Sequence, residues 1–111
     1  MDILFLNDRD ARDFNDSKRL ITTYGPHNAK RIRQRLDDLR VAATLDDMRR
    51  LPGRLHPLHE NLDGWFALDL KHPDRLIIQP ANDPLPQKAD GSLDWTKVTV
   101  VRVIRVGDYH G

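Results

Sequence analysis

At Pro52-Gly53 the apolar pattern of the chain changes its period. Ahead of this point Ala29, Ile32, Leu36, Leu39 and Ala43 recur at spacings of three and four. That is the stripe of an amphipathic helix, whose other face carries Arg31, Arg33, Arg35 and Arg40. Behind it, Trp65 to Leu70 and Arg75 to Gln79 are short apolar runs joined by Lys71-His72-Pro73-Asp74, with a proline suited to a tight turn, and they predict a hairpin. Val98 to Val106 is dense in β-branched residues and apolar on both faces apart from Arg102 and Arg105, as a central strand requires. Helices first and strands afterwards imply an α+β domain in which the helices cover one face of a mostly antiparallel sheet.

The remaining segments fit around this frame. Ile3-Leu4-Phe5-Leu6 predicts a first strand and Asn7-Asp8-Arg9-Asp10 a polar turn after it. Asp16-Ser17 caps a short helix through Tyr24, and Gly25-Pro26 interrupts it, with Pro26 placed as the first residue of the next helix. Thr44 reads as the N-cap of a further short helix to about Leu51, with Asp46 and Asp47 favoured in its first turn by the helix dipole. Pro80 to Lys97 holds Pro80, Pro84 and Pro86 and several turn residues, and a loop of that length in so small a domain usually has a role of its own. Trp95 is expected to pin its far end. The expectation is one domain over residues 1–111, with about four strands and two to three helices packed on one face.

Composition narrows the function more by exclusion than by assignment. A chain of 111 residues is the usual size of one domain with one modest core. Cysteine is absent, which removes disulfides, thiolate zinc sites and cysteine nucleophiles and fits a reducing cytoplasm. No apolar run approaches the roughly 20 residues of a membrane helix, and Met1-Asp2-Ile3-Leu4-Phe5 lacks the basic start of a signal peptide. A cytoplasmic protein with no membrane contact is expected. The net charge of +1 hides an uneven distribution: Lys30 to Arg54 carries eight Lys or Arg against four Asp, while the first sixteen residues are mostly acidic. Such a basic segment suits an RNA backbone, and suits equally the solvated face of a helix.

No phosphate-binding loop, glycine-rich dinucleotide turn, serine elbow or calcium-binding acid ladder is present. What remains is histidine: Arg54-Leu55-His56-Pro57-Leu58-His59 before the hairpin, and Asp108-Tyr109-His110 after the last strand. Metal-free RNA cleavage needs one group to take the 2′-hydroxyl proton, another to protonate the leaving 5′-oxygen, and a fixed cation at the phosphate. Histidine suits the proton transfers because its pKa lies near neutrality. Taken alone, His56 reads equally as a capping or partly buried residue, His59 and His72 as surface residues, and His110 as a strand end. A zinc site of His56, His59 and His110 has neither helical spacing nor a thiol to support it. No metal and no cofactor are therefore assigned. Trp65 and Phe66 read as hairpin core, one of them also placed to line a groove and stack on a base.

The segment from Arg54 to Phe66, followed by Asp74-Arg75-Leu76-Ile77 and ended by Asp108-Tyr109-His110, resembles HigB-type toxins of the RelE/ParE superfamily. The resemblance spans roughly Ala29 to His110. It implies a RelE-like fold and the toxin of a type II toxin–antitoxin pair. Such a toxin is a ribosome-dependent endoribonuclease that cuts messenger RNA, neutralised by a helix-turn-helix, HigA-like antitoxin and touching operator DNA only through that complex. On this resemblance His56 and His110 are acid and base, Asp108 positions or assists proton transfer, Tyr109 orients the RNA and Arg75 balances phosphate charge. His59, which stands where the family commonly has lysine, contacts RNA, and Lys30, Arg31, Arg35 and Arg40 grip the RNA of the ribosome. Two readings stand beside this one: a non-catalytic module of the same fold held by an antitoxin, and a gyrase inhibitor similar to ParE.

Overall fold

In the computed structural model, which describes residues 1–108, the chain runs β1 (Asp2–Phe5), α1 (Asp8–Phe14), α2 (Ser17–Val41), β2 (His56–Pro57), β3 (Phe66–Asp69), β4 (Arg75–Pro80) and β5 (Val100–Gly107). The strands form one five-stranded sheet in the order β1-β5-β4-β3-β2. β1 lies parallel to β5 and every other pair is antiparallel. The expected α+β architecture is the one observed, with one strand more than expected: His56–Pro57 pairs with Ala67 and Phe66 as a short edge.

The helices begin where side chains satisfy backbone donors. Asn7 Oδ1 accepts from the Asp10 amide at 2.8 Å, so the polar stretch expected as a turn winds into α1. Asp16 Oδ1 accepts from the amides of Lys18 and Arg19 at 2.9 and 3.3 Å and starts α2. Gly25, at φ 84°, breaks the helical path inside α2, and Pro26 resumes it, which is the interruption expected there. Ala29, Ile32, Leu36 and Leu39 are buried as the stripe requires, whereas Ala43 falls beyond the helix and is exposed. Leu45–Arg50 forms a 3-10 turn in which Asp47 Oδ2 accepts from the Thr44 amide at 3.2 Å.

The two faces of the sheet differ. Phe66, Leu68, Leu76, Ile78, Val101 and Val103 point at the helices and form the main core with the α2 stripe. On the opposite face Leu58, Ala67 and Ile77 make a smaller cluster, roofed by Leu62, Trp65 and Ile104. Phe66 is thus core, while Trp65 lies half-buried on the other face. Ile104 is the extra residue of a β-bulge: Ile77 pairs with Arg105 but Ile78 pairs with Val103.

The long connection after β4 is organised by side chains. Asn82 Oδ1 accepts from the amides of Thr99 and Val100, and its Nδ2 donates to Thr99 Oγ1 at 2.9 Å. Gln87 and Leu93 form an isolated antiparallel bridge, and the Asp94 amide donates to the Pro86 carbonyl at 2.9 Å. Trp95 fixes the far end as expected. Its ring meets Phe66 edge-on at 4.9 Å, and the Arg49 guanidinium lies 4.1 Å from a Trp95 ring centroid. Among the described residues no helix is long and apolar enough to cross a membrane.

Candidate functional site

Because alternate residues of a strand share a face, the pairing register sets out what stands on the side of the sheet away from the helices. Across one row His56 of β2 faces Ala67 of β3, which faces Ile77 of β4, which faces Arg105 of β5. In the next row toward the hairpin turn, Asp69 pairs with Arg75 and Arg75 with Gly107, after which Asp108 follows in the chain. Arg54, two residues before His56, completes that row through its side chain. In the other direction Gln79 pairs with Arg102 and Arg102 with Leu4.

The charged row is tightly organised around one carboxylate. Arg54 Nε and an Nη reach the two oxygens of Asp69 at 2.8 and 3.3 Å, and Arg75 Nε lies 3.4 Å from Asp69 Oδ1. Burial pushes the Asp69 carboxyl up. The Arg54 hydrogen bond and charge, with Arg75 and His56 beside them, outweigh that and hold it below the usual range. The Arg54 side chain remains 63% exposed while that of Arg75 is 15% exposed. Arg54 has a left-handed backbone, φ 50°, which turns its side chain back toward Asp69. A cleft of about 80 Å³ opens beside the row, lined by Arg54, Asp69, His72, Asp74 and Arg75 among others.

His56 stands at the edge of this cluster. Its Nδ1 lies 2.9 Å from the Arg54 carbonyl oxygen. A carbonyl only accepts, so Nδ1 carries the proton in this contact. In the neutral ring Nε2 then holds the lone pair, and His56 has the form of a general base.

The structure thus gathers His56 and Arg75 toward one end of one sheet face, together with Arg54 and Asp69, to which the sequence pattern assigned no role, and Asp108 is exposed directly after β5. The turn read from the sequence would not have found Asp69: a turn of Lys71-His72-Pro73-Asp74 alone sets Leu70 opposite Arg75, whereas Leu70 belongs to the connection and Asp69 pairs with Arg75. Tyr109 and His110 lie outside the described residues. His59 is exposed on the loop after β2. Lys30 and Arg40 are exposed on α2, on the helix layer, and are not brought together with His56. Arg31 Nε lies 3.3 Å from His27 Nε2, and Arg40 binds Asp37 at 3.2 Å and Asn15 at 2.8 Å.

Arg35 corrects an expectation. Assigned to the RNA-gripping surface, it is 6% exposed, and its Nε donates to the Asp69 backbone carbonyl at 2.9 Å. It flanks the buried stripe, so its guanidinium is used inside the fold and grips nothing in solvent. Desolvation, then the charge of Arg31, lower its pKa, against Asp38 and Asp69.

Helices confined to one face of a mostly antiparallel sheet make a fold similar to that of a solved bacterial toxin. One solved structure of this kind is the YoeB/ParE toxin from Agrobacterium tumefaciens. The alignment covers 99% of this chain and 100% of that one, with a TM-score of 0.50 and 12% sequence identity, a likeness of fold. No family model and no curated protein matches the sequence.

Proposed function

We propose that this chain is the toxin of a type II toxin–antitoxin pair, a cytoplasmic endoribonuclease that cuts messenger RNA on the ribosome without a metal. The observation that carries the reading is the placing of His56 beside the Arg54–Asp69–Arg75 row, at the end of the sheet where β5 leads into Asp108-Tyr109-His110.

In the proposed reaction His56 or His110 removes the proton from a 2′-hydroxyl, whose oxygen forms a bond to the adjacent phosphorus. The bond to the 5′-oxygen breaks, leaving a 2′,3′-cyclic phosphate, and the other histidine protonates the departing 5′-oxygen. Arg75 steadies the charge on the phosphorane, a planar cation suited to two phosphate oxygens at once. Asp108 positions or assists a histidine, Tyr109 orients the RNA, and His59 contacts it from the loop. Lys30, Arg31 and Arg40, on the helix layer, meet ribosomal RNA by sequence-blind attraction to its backbone. A helix-turn-helix antitoxin holds the toxin inactive, and operator DNA is reached only in that complex.

The test is single-turnover cleavage of messenger RNA on programmed ribosomes, in magnesium buffer with transition metals chelated. Cleavage that persists, with cyclic-phosphate and 5′-hydroxyl ends, is the expected result. Ends carrying a 5′-phosphate, or activity restored only by zinc, overturn the mechanism. Inhibition of gyrase with intact RNA moves the protein to the ParE-like reading.

A further inference from the structure

Among the described residues the buried polar side chains are Asn28 and Arg35, and only Arg35 is a cation. Asn28 ties α2 to the hairpin turn, donating to Asp74 Oδ2 at 2.8 Å and accepting from the Lys71 amide at 2.9 Å. Arg35 does something different. It reaches the strand residue whose carboxylate organises the proposed site.

The backbone of Asp69 is held on both of its polar groups. Its carbonyl accepts from Arg35 Nε at 2.9 Å, and its amide donates to the Gly53 carbonyl at 2.7 Å. Gly53 in turn packs directly on the guanidinium: a Cβ there would lie 2.7 Å from Arg35 Nε and 2.9 Å from its Cδ, and the backbone is left-handed at φ 109°. Arg54, the next residue, then turns back and binds the Asp69 carboxylate. One buried guanidinium therefore sets both the end of β3 and the loop that delivers Arg54. Taking a cation out of water is costly unless its geometry is needed, and an apolar side chain would tie a helix to a strand without that cost.

We infer that Arg35 is a positioning residue for the proposed RNA-cleaving site: through the Asp69 backbone and Gly53 it holds the Arg54–Asp69–Arg75 row in the arrangement that meets a phosphate. The inference rests on the function proposed above for its effect on cleavage, but not for its effect on Asp69. Arg35→Met keeps the length and apolar stem of the side chain and removes the donor.

Two measurements test it. The first is the titration of the Asp69 carboxyl by NMR, expected in Arg35→Met to move up from its depressed value toward 3.8 as Arg54 loses its fixed place. The second is cleavage on ribosomes. There kcat is expected to fall on the order of 10–100-fold, the size of effect usual for groups that orient a site, with KM and its salt dependence little changed. Arg35→Lys, which keeps the charge and one donor, is expected to restore both readings in part. An unmoved Asp69 titration overturns the inference. So does a rise in KM with kcat retained, because that is the signature of a direct RNA contact. If Arg35→Met does not fold, Arg35→Gln is measured by the same criteria, and failure of both to fold overturns the inference by making Arg35 a folding residue alone. A parental protein that cuts no RNA removes the proposed function, while the Asp69 titration still decides the role of Arg35.

Discussion

Asp69 and His56 show how much single side chains decide on this sheet face. On the proposed function, replacing His56 or His110 by alanine removes a proton-transfer group, and Arg75→Ala removes fixed charge at the phosphate. Each is expected to slow single-turnover cleavage by on the order of 10²–10³-fold with circular dichroism unchanged. A folded His56→Ala protein cutting at the parental rate under saturating conditions would give the binding-module reading the lead. Asp69 carries a pH prediction. Its folded pKa is depressed, so the carboxylate stabilises the fold fully above the unfolded value near 3.8 and loses that contribution as pH falls through the folded value. The urea midpoint should hold level from neutrality to about pH 5 and drop below about pH 4. Asp69→Asn should drop less over that interval. Asp90 and Asp94 are also held low, chiefly by hydrogen bonds from Ser92 and Thr96, so the acid limb shrinks without vanishing. Identical limbs in parent and variant would count against the ion-pair account.

Among the elements, the loop between β4 and β5 depends most on a few anchors. Trp95→Ala removes the edge contact with Phe66 and the Arg49 stack, of which an aromatic pair alone contributes about 0.5–1.5 kcal/mol beyond its buried area. Hydrogen exchange at the Lys88 and Asp94 amides, bonded to Ser92 and Pro86, should then quicken by tenfold or more, on the order of 1.4 kcal/mol of lost local stability, with β5 unaffected. Uniform acceleration across the sheet would mean that Trp95 belongs to the global core. The elements legible in the sequence were those with a period: the α2 stripe, the β3–β4 hairpin and the β-branched run of β5. α1 was missed because its seven residues bury Phe14 alone, too little for a stripe, and only the Asn7 cap marks it. β2 has two residues, one a proline, and exists through pairing with β3. Arg35 looked like its solvent-facing neighbours because one helical position separates it from Leu36, and the residue that receives it is 34 positions away.

On the proposed function the molecule as a whole presents two basic approaches to the ribosome, the arginine row on the sheet face and the exposed Lys30 and Arg40 on the helix layer. Neutralising Lys30 and Arg40 together should weaken ribosome binding and lower the slope of log affinity against log salt by about 0.7–0.9 for each phosphate no longer neutralised. Single-turnover cleavage at saturation should be preserved. A slope that does not move would place the ribosome-binding surface elsewhere on the molecule. The strand order carries one more consequence. β5 lies between β1 and β4, yet among the described strands it is the last in sequence. During synthesis β1 and the β2–β3–β4 unit emerge with no hydrogen-bonded link between them, and the sheet closes only when residues 100 to 107 have cleared the exit tunnel. The strand that joins the two halves is also the one that leads into Asp108. Nascent chains therefore have no complete sheet face until that stretch is made, which on the proposed function spares the ribosome that is producing them.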